Sequence, residues 1–181
     1  MNRIPGVYLA LITFPGVVVH EFAHQLFCRL CGVAIFDVKY FQLADPVGYV
    51  QHEPVKKPIH QLLISVGPFI VNNILALAIA FPAAIPVFMF NDGSLFDFLL
   101  LYLGLSIAMH AFPSTTDAKV MWEAIWHGKD TPLWLKIITV PITGLIYAGA
   151  MGSLIWLDLV YGMGIAFGLP ILIIDFFSRV M

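Results

Sequence analysis

Long apolar runs alternate with short polar connections along this chain. A helix rising about 1.5 Å per residue needs roughly 20 residues to cross about 30 Å of hydrocarbon. Three runs meet that length without difficulty: Ile4 to Leu30, Leu62 to Phe90 and Leu133 to Leu157. Two others are shorter or interrupted. Leu95 to Phe112 ends at Pro113 and restarts at Ser114, and Val160 to Phe177 closes the pattern. The pattern predicts an all-α polytopic membrane protein with about five transmembrane helices. The longest polar connection, 29–61, is too short for a soluble domain of its own. The chain therefore reads as one membrane-embedded domain over 1–181, with a core from about 4 to 127 and C-terminal helices at about 133–157 and 160–177. Val33 to Phe41 is rich in β-branched and aromatic residues, and Val47-Gly48-Tyr49-Val50 follows the turn signal Asp45-Pro46. This predicts a short β-hairpin in the loop 31–55, either a lid over the helix ends or a working surface.

Composition supports a bilayer environment. Apolar residues make up 60% of the 181 and charged residues 11%, and the mean hydropathy is +0.92, far from the balance of a soluble domain. The first run is too long for a cleaved signal peptide and lacks a small-x-small cleavage site. With five crossings, one face receives Arg29, Lys39, Lys56, Lys57, Lys119, Lys129, Lys136 and Arg179, and the other only Arg3. Basic residues concentrate on the cytoplasmic side, which predicts an outer N-terminus and an inner C-terminus in a multi-pass protein of a prokaryotic cell membrane. No basic tract suggests nucleic acid as a partner.

Three polar side chains interrupt the first run, in His20-Glu21-Phe22-Ala23-His24. No other charged residue occurs between Ile4 and Cys28. A charge at the bilayer centre costs roughly 2.5–3.5 kcal/mol on insertion scales, so its presence marks function. On a helix, His20 and His24 lie at i and i+4 on one face and both reach one metal ion. Glu21, about 100° round the helix, stands beside them without ligating. This is the H-E-x-x-H pattern, two His on zinc and a Glu as general base. His24 lies six residues before Leu30, so the site falls roughly 9 Å inside the cytoplasmic boundary at helical rise.

A zinc site that keeps one position open for water needs a third protein ligand. Asp97 and Asp175 sit near span ends, His52 and Glu53 in the polar loop, and Glu123 and His127 in the stretch after Pro113. Asp117 ranks first. It follows the break at Pro113 within Ser114-Thr115-Thr116-Asp117, which also has the form of a helix start. Ligand and helix cap are both open readings for Asp117. Cys28 and Cys31 have C-x-x-C spacing but no second pair, which makes a poor zinc site. Trp134 and Trp156 bracket the fourth run as interfacial anchors.

His20-Glu21-Phe22-Ala23-His24, then Gly67-Pro68-Phe69-Ile70-Val71-Asn72, then Pro113 followed by Asp117, together resemble the site-2 protease family of intramembrane zinc metalloproteases. That family carries H-E-x-x-H, G-P-x-x-x-N and N-x-x-P-x-x-x-D-G on three core helices, and the resemblance covers about residues 14–120. It implies that His20, His24 and Asp117 bind Zn²⁺, that Glu21 activates water, and that Asn72 helps hold the backbone of a single-span membrane protein or peptide substrate. The family's Asn of the third element is His110 here, and the Gly after the Asp is Ala118. His110 either tunes the zinc site from behind the ligands or fills space. A first helix found in several relatives, and PDZ and CBS modules, are not seen. Of the adjacent Asn72 and Asn73, only one is expected to face the metal.

The charge balance agrees with this reading. Two neutral His and one Asp leave Zn²⁺ at +1, and the Glu21 carboxylate brings the cluster near zero, as a low-dielectric site requires. A helical substrate has to unwind before its peptide bond is accessible, and the Val33–Phe41 strand offers an edge for the unwound segment. A catalytically silent zinc-binding membrane protein and a metal-ion transporter are the alternatives, the latter requiring polar pairs along several helices. The sequence does not give an oligomeric state.

Overall fold

The computed structural model describes residues 4–128 and 131–180. Arg3 and Lys129, two of the basic residues counted for orientation, lie outside the described residues. The elements in order are α1 (Ile4–Ile12), α2 (Phe14–Leu30), β1 (Ile35–Lys39), β2 (Tyr49–His52) and α3 (Pro58–Ala84), which a π-helical turn extends to Met89. They continue with α4 (Leu95–Met109), α5 (Thr115–Trp126), α6 (Leu133–Gly152), α7 (Leu157–Met163) and α8 (Leu169–Val180). Three helices are long and apolar enough to cross a membrane: Pro58–Met89, Leu133–Gly152 and Leu157–Val180.

The remaining predicted spans are divided by identifiable residues. The Ile4–Leu30 run breaks at Thr13, whose hydroxyl donates to Leu9 O at 2.8 Å, and Pro15 then lacks the N–H that a continuous helix would use. The Leu95–Phe112 run ends at Met109 because Pro113 disfavours helical backbone at the residue before it. The predicted restart at Ser114 is present. Ser114 caps α5 in a reciprocal box with Asp117, donating and accepting at its first turn. The fourth run stops at Gly152, where a 3-10 turn leads to Trp156 with a φ of 64°.

The core is a three-layer seam. Thr13 and His20 of the first segment meet Ser106 and His110, so α2 and α4 run parallel. His24 meets Ile64 and Gly16 meets Asn72, so α3 runs antiparallel between them. Small residues allow this approach: a Cβ on Gly16 would lie 2.0 Å from Ser106 O, and one on Gly104 2.7 Å from the Ala80 Cβ. Leu62, Ala118, Met121, Ile125, Leu135 and Ile146 close the space between α3, α5 and α6.

The C-terminal helices pack along α5 and α4. Lys136 donates to Trp126 O, Gly149 abuts Phe112, Gly162 abuts Met109 and Leu105, and Ala166 packs with Leu101. From α6 to α8 the chain thus meets α5 and then α4 in the reverse of their chain order, and five separate membrane-length helices are not found among the described residues. A 3-10 turn and one left-handed residue bend the path, and the close seat of Gly162 on α4 keeps its sense.

The predicted hairpin is present. β1 and β2 pair antiparallel with Asp37 opposite Gln51, Val38 opposite Val50 and Lys39 opposite Tyr49. The Tyr49 hydroxyl donates to Asp37 at 2.6 Å and holds that carboxyl below its usual range. Val33 tucks under the helices with Cys28 and Ile64.

Candidate metal centre

His20, His24 and Asp117 come together from α2 and α5, each offering a ligand atom within 4.8 Å of the others. The imidazole centroids lie 4.9 Å apart, and His24 Nε2 is 3.6 Å from Asp117 Oδ1. A tetrahedral ion with bonds of about 2.0–2.1 Å separates its ligand atoms by about 3.4 Å, close to the 3.6 Å between His24 and Asp117. The group could hold a metal ion.

Neighbouring helices fix the orientation of both rings. His20 Nδ1 donates to the carbonyl of His110 at 2.7 Å, and His24 Nδ1 to that of Ile64 at 3.0 Å. A carbonyl only accepts, so each ring carries a hydrogen on Nδ1, and as a neutral ligand each would offer its Nε2 lone pair to the cluster. Neither carbonyl is free by accident. Ile64 O would ordinarily receive the N–H four residues on, but that residue is Pro68, which has none. His110 follows the last residue of α4, where helix carbonyls lose their partners.

Asp117 divides its oxygens. Oδ2 accepts from Ser114 N at 2.8 Å and Ser114 Oγ at 2.6 Å, while Oδ1 faces His24. Cap and candidate ligand, the two readings the sequence left open, coexist in one side chain. Ser65 donates to the Asp117 carbonyl at 3.3 Å and accepts from Gln61 at 3.2 Å, tying α5 to α3.

Glu21 is 9% exposed and has no hydrogen-bond donor among the described residues. It lines a cavity of about 740 Å³ together with the His pair, Asp117 and the loop before β2. That loop comes close: a Cβ on Gly48 would lie 2.7 Å from Glu21 Cγ.

No family model, curated protein or solved structure matches the chain.

Asn72 does not line the cavity. It is fully buried, and its amide nitrogen donates to the carbonyls of Gly16, Ile107 and His110 at 3.0–3.4 Å, so it grips the carbonyl that orients His20. Asn73 faces another way and accepts from the Tyr161 hydroxyl at 2.7 Å. His110 lines the cavity and its Nε2 is 2.8 Å from Thr13 Oγ1. The Thr13 hydroxyl already donates to Leu9 O, so it accepts here, and His110 carries its hydrogen on Nε2. Cys28 and Cys31 lie apart from the site with free thiols.

Sequence reasoning missed Gln61, Ser65, Thr13 and Asp158. The first two had a readable signal. Gln61, Ser65, Pro68 and Asn72 are spaced by four, three and four, a stripe along one face of α3 that points polar groups at the seam.

Proposed function

We propose that the protein is an intramembrane zinc metalloprotease of the site-2 type, hydrolysing peptide bonds within or near the membrane-spanning segment of its substrates. One observation carries the reading: an unpartnered, nine-tenths buried Glu21 beside a His–His–Asp group that faces a cavity large enough for several residues of peptide. Two imidazoles and a carboxylate suit zinc, and their preset Nε2 lone pairs fit it. Bound there, zinc would polarise a carbonyl and lower the pKa of water to about 7. The chain's own groups do the rest. Glu21 accepts a proton from water and returns it to the leaving amine. His110 O and Ile64 O keep the imidazoles aimed, and Asn72 supports the first of these as a positioning residue.

We read a membrane arrangement from the packing and the distribution of basic residues. Residues 4–30 descend, α3 ascends, α4–α5 descend as one broken crossing, and α6–α8 ascend along them. Among the described basic residues, Arg29, Lys39, Lys56, Lys57, Lys119 and Lys136 belong to the hairpin end of this bundle and Arg179 to the other. The hairpin end is cytoplasmic on this charge bias. On this reading the chain makes four passages rather than five, with residues 4 and 180 on the outer side.

The test is cleavage in proteoliposomes of a single-span substrate by wild type and Glu21→Gln. Loss of the base lowers the rate about 10²–10⁴-fold with zinc content unchanged. Equal rates, or a zinc-loaded wild type that cuts no substrate offered, would leave a zinc-binding membrane protein that grips partners without cutting them.

A further inference from the structure

The cavity wall carries a charge pattern that the metal cluster does not explain. Four carboxylates line it, Glu21, Asp45, Asp117 and Asp158, and no lysine or arginine among the described residues does. A divalent ion on His20, His24 and Asp117 would balance Asp117 and Glu21. Asp45 and Asp158 remain. Asp45 is exposed on the loop at the mouth. Asp158 lies in the first turn of α7, just past the break at Trp156, and shares the cavity wall with Ser153 on the other side of that break. One of its oxygens accepts from Leu159 N at 2.9 Å, and no cationic side chain among the described residues pairs with it. A carboxylate among membrane-crossing helices without a cation is costly, and such groups mark the path of a ligand. The second sign of a ligand is Glu21, buried, unpartnered and lining the same space.

We propose that Asp158, with Ser153, forms the specificity subsite of this cavity and takes a lysine or arginine side chain of the bound polypeptide. The same wall includes Gly149 and Ala150, small residues that leave room for the aliphatic stem of a basic side chain whose charged head reaches the carboxylate. A guanidinium or ammonium there gains a charge-assisted hydrogen bond, and the Ser153 hydroxyl offers a further acceptor. Single-span membrane segments carry such residues at their cytoplasmic ends, the side on which Asp45 stands at the mouth to attract them. The substrate class is thus a membrane segment bearing a basic residue close to the peptide bond presented to the cluster. The subsite rests on the proteolytic reading for the cleavage step alone, since selective binding needs no hydrolysis.

The experiment uses full-length Glu21→Gln protein in nanodiscs and fluorescent single-span peptides that differ only at one position near the cytoplasmic end. That position holds Lys, Gln or Glu and is moved residue by residue through two helical turns. At one register the Lys peptide binds about tenfold tighter than its Gln counterpart, and the Glu peptide is weakest. Adding Asp158→Asn removes the preference, while Asp158→Glu keeps it and guards against a misfolded Asn variant, with zinc content verifying the fold in each. Equal binding of Lys and Gln peptides at every register, or a Lys preference that survives Asp158→Asn, overturns the proposal. Cleavage by wild type separates the two readings. Selective binding without any cleavage removes proteolysis and keeps the subsite; cleavage indifferent to Lys does the reverse.

Discussion

The two halves of the bundle are held together by different means. In α1–α5 polar side chains reach across to backbone carbonyls of other helices: Asn72 to Gly16, Ile107 and His110, His20 to His110, His24 to Ile64, and Ser65 to Asp117. From α6 to α8 contact is mainly through small residues and aromatic rings. Gly149 seats Phe112, Gly162 seats Met109, and the Tyr161 and Phe112 rings meet at a tilt with centroids 4.7 Å apart. Directional bonds fix atoms to a fraction of an ångström, as ligands require, whereas packing fixes only helix position. The His20–His24–Asp117 group sits wholly in the first half, and the second half adds a wall of the cavity and Asp158.

Substitutions should therefore separate the halves by what they disturb. The largest effect is expected for His24→Ala or Asp117→Ala, which remove a ligand from the group. Purified protein should lose most of its zinc, read by metal analysis after gel filtration, and full zinc in Asp117→Ala would take that residue out of the group. Pro68→Ala comes next. It touches no ligand, but it restores an N–H that competes for Ile64 O and so loosens His24. Zinc affinity should fall about tenfold, as for other disturbances behind metal ligands, while the helix itself becomes no less stable. An unchanged affinity would mean that this carbonyl does not orient the ring. The smallest effect is expected for Tyr161→Phe in the second half. It costs one hydrogen bond to Asn73, about 1 kcal/mol of stability, with zinc affinity unaltered. Accessibility of tags placed before Ile4 and after Val180 sharpens the comparison in another way: both should be reached from outside the cell, and opposite exposure would restore five crossings.

The sequence made some of this legible for specific reasons. His20, Glu21 and His24 stood out because polar residues inside an apolar run need a function, and the hairpin because Asp45-Pro46 separates two β-rich stretches. Asp117 was found through the cap signature. The direction of α6–α8 was hidden, since apolar length records how far a helix can extend and not which neighbour it follows. Asp158 was hidden too, because its place on the cavity wall depends on the bend at Trp156, which no local pattern announces. The carbonyls that aim the imidazoles belong to no side chain, and only Pro68 gives one of them away.

The split use of Asp117 has a consequence for how an ion comes and goes. Since Oδ2 is engaged by Ser114 and Oδ1 alone faces the imidazoles, departure of a metal leaves the start of α5 still capped. If the group takes up an ion, loading and stripping should then need no refolding of α5, so metal titrations run in the two directions should coincide.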